Sequence, residues 1–480
     1  MACLIAAPAS GSGKTLLSLC LAALARRRGL RLQPFKVGPD YLDPQLLSRV
    51  SGQACRNLDS LLCGEPWLRR CFHWHGSRAD LALVEGVMGL FDGRGAGSEG
   101  SSAALADLLE LPVVLVVEAS RQAGSIAALV RGFRDHGPPR VRLAGVVLNR
   151  VGSERHRRLL AEALASIDVP LLGVLPHTPA LELPSRHLGL LPPAEVADLE
   201  TRIASWAALA ERHLDLERLW PLLAAPAPGN GAAATEPIAA LLASCGSGEE
   251  SGLSAAKGGK GRLPVAIASD AAFHFRYPEA RELLEALGLE PQPWSPLADE
   301  PLPAGCAALL LPGGYPELHA AQLAAARRSL AELRRAAARG LPIVAECGGL
   351  LLLGRELCDP LGQAHAMAAV LPFRAERGGL SLGYRQATVL GDGLLVRRGD
   401  QLQGHEFHRW QLQVLSDAQA QPGGQELWQL EGWGAPARAE GWSTAHLHAS
   451  WLHLHWAGCP QVPWRLNAAA RRQPLRGAQR

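Results

Sequence analysis

The first twenty-seven residues constrain the chain most. An apolar run, Ala2 to Ala7, leads into Pro8-Ala-Ser-Gly-Ser-Gly13-Lys14-Thr15, and the amphipathic segment Leu16 to Arg27 follows at once. A buried strand, a glycine loop and a helix in that order form a phosphate cradle. Gly11 and Gly13 let the backbone N–H groups of Ser10, Gly11, Ser12 and Gly13 converge on phosphate oxygens at a helix N-terminus. Lys14 has the reach for the β- and γ-phosphates, and the Thr15 hydroxyl is placed to ligate Mg²⁺. ATP as co-substrate, with Mg²⁺, is the expectation. Pro8 stands where the usual pattern begins with glycine, and every phosphate-contacting element remains.

Around this loop the N-terminal half alternates short apolar runs with Ala/Leu-rich helical segments. Leu81 to Val84, Val113 to Val117, Leu143 to Leu148 and Leu171 to Leu175 are such runs. Continuous apolar strands separated by helices predict a parallel sheet buried on both faces, an α/β domain over 1–222. Two further constellations fall at strand ends, where loops line the crevice of such sheets. Lys36-Val-Gly-Pro-Asp40-Tyr41-Leu42-Asp43-Pro44 is suited to holding a substrate or metal beside the nucleotide, although the acids of such a turn also serve as helix caps. In Leu81-Ala-Leu-Val-Glu85-Gly-Val-Met-Gly-Leu-Phe-Asp92-Gly93, Glu85 is the expected second Mg²⁺-associated carboxylate and Asp92 a candidate contact to substrate or phosphate.

Residues 223–262 are rich in Gly, Ala, Ser and Pro without periodicity, which predicts a flexible linker. A second α/β domain is expected over 263–480: PVAIASD, AALLLPGG and LPIVAECGG read as buried strands. YRQATVL, LLVRR and the Trp/His-rich end read as an antiparallel extension. Cys347 lies where a strand turns sharply into a helix. A nucleophile there has its sulfur exposed, and the helix N-terminus favours the thiolate. The glycine loop Leu311-Pro-Gly-Gly314-Tyr-Pro-Glu317 can add an oxyanion N–H at Gly314 to that of Gly348. The thiol needs a base, and the terminal stretch offers His446, His448, His453 and His455. On a strand His453 and His455 would share a face, so spacing leaves both open.

At 480 residues the chain is long enough for more than one core. No apolar run reaches the roughly 18 residues of a membrane span. The N-terminus lacks a basic leader, and ten cysteines occur without C-x-x-C pairing. Reduced thiols and a cytoplasmic location are expected. A net charge of +3 gives no support for nucleic-acid binding.

In this order, APASGSGKT, KVGPDYLDP, NLD, VEGVMGLFDG, LNRV, LLLPGGYPE, AECGGL, GHEFH and ASWLHLHW resemble the cobyrinic acid a,c-diamide synthase family over nearly the whole chain outside the linker. The resemblance implies an N-terminal fold similar to dethiobiotin synthetase and a C-terminal class I glutamine amidotransferase fold. It implies small-molecule substrates: a corrinoid, ATP and glutamine. Glutamine would be hydrolysed at Cys347, with His453 as base in a dyad lacking the usual acid. ATP would activate the a- and c-acetate carboxylates as acyl phosphates for attack by ammonia. Asp40, Tyr41, Leu42 and Asp43 match the loop associated with the corrinoid, and Glu85 and Asp92 match acids of the ATP site. Cobyric acid synthase shares both domains but typically ends its histidine motif in Y-L-H-G rather than H-L-H and begins its P-loop differently, whereas a synthase acting on nickel sirohydrochlorin shares nearly all these motifs. A regulatory P-loop ATPase fused to a glutamine sensor is the alternative of another class.

Overall fold

The computed structural model describes residues 2–178, 185–186, 189–245, 262–415 and 425–473. The chain divides into two compact units, Met1–Pro237 and Ile238–Arg480.

In the first unit, β1 (Cys3–Ala6), β2 (Leu32–Val37), β3 (Arg56–Leu58), β4 (Leu81–Glu85), β5 (Pro112–Glu118), β6 (Arg142–Val151) and β7 (Leu171–Pro176) form one sheet in the order β3-β2-β4-β1-β5-β6-β7. Every neighbouring pair is parallel. The apolar runs lack alternation because both faces are covered: β1 and β4 are buried along their whole length. Helix α1 (Lys14–Arg27) buries Leu17, Leu19, Leu21 and Leu24 in this core and ends on Arg26 and Arg27, which complement its C-terminal dipole. Chain order reverses on either side of β1, between β4 and β5. The loop after β1 therefore opens at the crevice where such sheets take ligands. Two short strands, β8 (Ser185–Arg186) and β9 (Gly189–Leu190), pair antiparallel outside the sheet.

The predicted linker differs from expectation. Helix Leu216–Leu223 buries Leu219 and Leu223, and the chain then stays on the first unit. Ala225 N donates to Asp80 O at 3.3 Å, and a 3-10 turn follows at Gly231–Ala234. A helix occupies Pro237–Cys245, and residues 246–261 lie outside the described residues. The low-complexity composition concealed a helix because Ala and Leu are strong helix formers and Pro237 sits at its first position.

The second unit holds β10 (Leu263–Ala268), β11 (Leu289–Trp294), β12 (Ala308–Leu311), β13 (Ile343–Glu346), β14 (Glu356–Cys358), β15 (Ala364–Ala366), β16 (Phe373–Val389), β17 (Gln401–Val414), β18 (Gln425–Gly432), β19 (Ala435–Ser443) and β20 (Leu447–Ser450). They form one sheet, ordered β11-β10-β12-β13-β20-β19-β18-β16-β14-β15, with β17 added along β16. The centre is parallel from β11 to β20, and antiparallel pairing begins at β20 with β19. Strand β17 curls round until His405 bridges His453, just past β20.

Two expectations fail here. LLVRR is not a strand: Leu395 and Val396 are fully buried in a turn closed by Gly393 N donating to Val396 O at 2.9 Å. Apolar burial without a ladder mimicked a strand. The histidine-rich end is strand only to Ser450, so His453 and His455 lie in irregular backbone and the period-two rule does not apply to them.

Candidate active sites

In the first unit, residues after β1, β2 and β4, with Asn149 near the end of β6, converge on a cavity of about 580 Å³. Ser10, Gly11, Gly13, Lys14, Thr15, Lys36, Asp40, Asp43 and Asn149 are among the residues lining it. Gly13 adopts φ +110°, and a Cβ there would lie 2.3 Å from Asn149 Nδ2. Only glycine fits, and Asn149 Nδ2 clamps the loop by donating to Ser12 O at 3.0 Å. Ser12 Oγ donates to Ala9 O at 2.9 Å, closing the turn. Lys14 Nζ donates to Met88 O at 2.5 Å, so the lysine spans the mouth between the glycine loop and the loop after β4.

Behind the residues that line the cavity, Glu85 is completely buried. Its Oε1 accepts from Thr15 Oγ1 at 2.9 Å and from Lys36 Nζ at 2.8 Å. Asp43 Oδ2 lies 2.6 Å from Lys36 Nζ and 3.5 Å from Thr15 Oγ1. Thr15 Oγ1 thus lies beside both carboxylate oxygens that Lys36 Nζ bridges, and Thr15, Asp43 and Glu85 are hard oxygen donors of the kind Mg²⁺ takes once nucleotide phosphates complete the shell. Among the described residues no group of three or more His, Cys, Asp or Glu side chains forms a metal cluster.

Electrostatics hold this site in tension. Burial tends to discharge Lys36, yet Asp43, Glu85 and Asp40 win and hold its pKa well above the usual value. Burial and the Asp43 charge push Asp40 up to about 7, whereas Lys36 outweighs burial at Asp43 and holds it below the usual range. Glu85 is raised by burial. Burial, then repulsion from Lys36, brings Lys14 down to about 8.

The Asp40 loop divides into separate tasks. Asp40 Oδ1 accepts from Leu42 N at 2.9 Å and Asp43 N at 3.1 Å, and Asn57 Nδ2 donates to the carbonyls of Gly38 and Asp40, both at 2.8 Å. These bonds fix the turn that presents Asp43 to Thr15 and Lys36. Tyr41 and Leu42 are packed in the core and are not among the residues lining the cavity. Asp92 turns back on its own loop, accepting from Gly89 N at 2.8 Å. Lys36 and Asn149 carried no assigned role in the sequence, although both stand in motifs quoted there.

In the second unit, Cys347 links β13 to helix Gly348–Leu353 with φ +49°. A non-glycine residue held there is strained. The surrounding glycines allow it. A Cβ on Gly349 would fall 1.9 Å from Leu311 O, one on Gly314 2.0 Å from Ala272 O, and one on Gly348 2.9 Å from Gly314 N. The two predicted oxyanion glycines therefore lie so close together beside the cysteine that no side chain fits between them. Cys347 N donates to Ser450 O at 2.7 Å, and Sγ lies 3.7 Å from Phe407 O on β17.

His453 joins this cluster and His455 does not. The His453 ring packs on the same glycine loop, since a Cβ on Gly313 would meet its Cε1 at 2.4 Å. Its backbone N and O pair with those of His405 at 2.9 and 3.0 Å. Glu346 Oε2 approaches His453 Nδ1 at 3.9 Å. His455 instead packs on Tyr277 with 4.2 Å between ring centroids, and its Nε2 lies 3.6 Å from Glu279 Oε2. Burial brings His453 down to about 3 and pushes the Cys347 thiol well up, so the buried elbow favours the neutral forms of both, against the exposed thiolate expected from the strand-to-helix turn. Glu346 and the β17 residues likewise carried no assigned role in the sequence, although AECGGL and GHEFH contain them: a lone acid before the cysteine and a strand brought in from 60 residues away give no local signal of what they touch.

The comparisons agree with this geometry. Residues 3–191 match the CobQ/CobB/MinD/ParA nucleotide binding domain, and 264–460 match the CobB/CobQ-like glutamine amidotransferase domain. The chain is 45% identical to a cobyrinate a,c-diamide synthase of Gloeobacter violaceus, covering 95% of this chain and 94% of the relative. It is 41% identical to one from Synechococcus, covering 96% of each. It is also 43% identical to a hydrogenobyrinate a,c-diamide synthase of Streptomyces coelicolor, covering 95% of each. No helix among the described residues is long and apolar enough to cross a membrane. A phosphate-binding α/β unit followed by a cysteine-elbow amidotransferase unit, matched along almost its whole length by these relatives, makes this chain a member of the cobyrinate a,c-diamide synthase family.

Proposed function

We propose that the chain converts the a- and c-acetate carboxylates of a cobyrinic-type corrinoid to amides, using ATP and glutamine. The observation that carries this is the pairing in one chain of a P-loop whose Thr15 meets Asp43 and Glu85 with an elbow cysteine beside the glycine loop on which His453 packs.

In the second unit the Cys347 sulfur attacks the glutamine amide carbon while His453 takes the thiol proton and returns it to the departing nitrogen. The N–H groups of Gly314 and Gly348 hold the oxyanion. Water then cleaves the thioester to glutamate, with His453 as base. The buried resting pair favours neutral forms, so the proton moves only when the substrate supplies an electrophile.

In the first unit the glycine loop and Lys14 hold the triphosphate. Thr15, Asp43 and Glu85 would hold Mg²⁺, which supplies charge neutralisation at the transferring phosphoryl group. A substrate carboxylate oxygen attacks the γ-phosphorus and ADP leaves. Ammonia then attacks the acyl carbon and phosphate leaves. Lys36, kept cationic by three carboxylates, stabilises charge on the transferring group or the substrate carboxylate.

Relatives named for cobyrinate and for hydrogenobyrinate match at comparable identity, so the test runs both acids with ATP and glutamine, and nickel sirohydrochlorin alongside. Mass spectrometry reads the exchange of OH for NH₂. Conversion at two carboxylates of a cobyrinic-type acid is expected. Glutamine hydrolysis with no mass change in any of the three would overturn the substrate assignment and retain the amidotransferase.

A further inference from the structure

The antiparallel ladder between β19 and β20 pairs Trp442 with Ala449 and Ser443 with His448 and goes no further. Gly441, at φ +80°, bends β19 at that point, and a Cβ there would lie 2.9 Å from Ala449 O. Only glycine allows the bend, and a bend in a strand re-aims the side chain beside it. That side chain is Glu440.

Its carboxylate takes over where the ladder stops. Oε1 accepts from Trp451 N at 3.0 Å. Oε2 accepts from Ser450 Oγ at 2.6 Å and from Trp428 Nε1 at 2.9 Å. Ser450 Oγ in turn accepts from Leu452 N at 2.9 Å, while Ser450 O receives the Cys347 N–H at 2.7 Å. One side chain therefore organises three consecutive residues. The first is bonded directly to the nucleophile's backbone, and the last precedes His453. Glu346 stands 3.9 Å from His453 Nδ1, beyond hydrogen-bond reach, so backbone placement bears on the geometry between sulfur and imidazole, and misplacement by about an ångström costs roughly a hundredfold in rate.

We propose that Glu440 is a positioning residue for the glutaminase reaction: it sets the backbone of residues 450–452, and through it the relation of Cys347 to His453. The proposal rests on the assignment of these two residues as nucleophile and base. Glutamine would still bind at the elbow, so the effect belongs to kcat.

The test uses the full chain with Glu440→Gln and, separately, Ser450→Ala. Gln keeps size and removes one acceptor oxygen, so at least one of the three donors meets an NH₂ group. Glutamine hydrolysis, glutamine-dependent synthesis and ammonia-dependent synthesis are measured for each. The expected result is a fall in glutaminase kcat of about tenfold or more with little change in the KM for glutamine, and ammonia-dependent synthesis at the unaltered rate. The double variant should lose no more than the worse single variant, because both changes break one network. An unchanged kcat, a loss confined to KM, or a parallel loss of ammonia-dependent synthesis would overturn the proposal. Glutamine hydrolysis that persists in Cys347→Ala would instead remove the assignment beneath it.

Discussion

Burial sets the charge of the imidazoles around the elbow. Burial, with repulsion from Arg385, brings His405 down to about 3; burial, with repulsion from His405, does the same to His453; at His448 burial acts alone and also gives about 3. The usual value is 6.5. Unfolded chains therefore bind protons that the folded unit refuses. The depressed folded value means that stability is full above pH 6.5 and is lost as pH falls from there towards 3. His448 tests this without touching the chemistry. It is buried against the Trp428 ring, and neither of its ring nitrogens has a hydrogen-bond partner among the described residues. At about one pH unit below 6.5 such a histidine costs about 1.4 kcal/mol. His448→Leu should remove roughly that much of the acid-side loss, measured by urea unfolding at neutral and mildly acidic pH. An unchanged slope would mean that His448 is solvated in solution. Among the residues named in the sequence, the positions of Lys14, Thr15, Glu85 and Cys347 were legible, because Glu85 and Cys347 end apolar strands next to glycine and Lys14 and Thr15 open α1 directly after Gly13. Tyr41, Leu42 and Asp92 were not, because an acid or tyrosine in a conspicuous loop looks the same whether it faces a ligand or its own backbone.

The strands and helices carrying the elbow were legible too, since β12, β13 and helix Gly348–Leu353 follow continuous apolar runs broken by glycine pairs. Legibility ended where a long-range partner decides the outcome. Strand β17 is defined by its ladder to β16 and by the bridge from His405 to His453, neither of which composition announces. The elbow itself tolerates no added volume. A Cβ on Gly349 would meet Leu311 O at 1.9 Å, and that oxygen belongs to a buried central strand that cannot retreat. Gly349→Ala should abolish glutamine hydrolysis and destabilise the second unit by about 1–3 kcal/mol, the usual cost of overpacking. A glutaminase assay and thermal melts check it. Normal activity with a normal Tm would show that β12 shifts to accept the methyl group.

On the scale of the molecule, each unit has its own core, and each proposed chemistry is completed by residues of one unit. Trp206 closes the core of the first, and Trp294 and Phe373 that of the second. Two-part organisation was legible because a low-complexity stretch interrupts two alternating patterns. The extent of ordered chain beyond residue 222 was not, because packed Ala/Leu helix and solvated linker can share a composition. If the two halves of the reaction meet only through ammonia, a lesion should be confined to the half that contains it. Cys347→Ala should eliminate amide formation from glutamine yet leave amide formation from high concentrations of ammonia, since the sulfur acts only in releasing nitrogen. Lys14→Ala should eliminate amide formation from both nitrogen sources, since the carboxylate is no longer activated. Its lost phosphate contact is charge-assisted and serves phosphoryl transfer, where single positioning groups are worth several powers of ten. Product mass spectra for each variant with each nitrogen source decide the matter. Loss of ammonia-dependent synthesis in Cys347→Ala would show that the cysteine also serves the amide-forming step. Retained synthesis in Lys14→Ala would move the phosphate site away from the first loop of the chain.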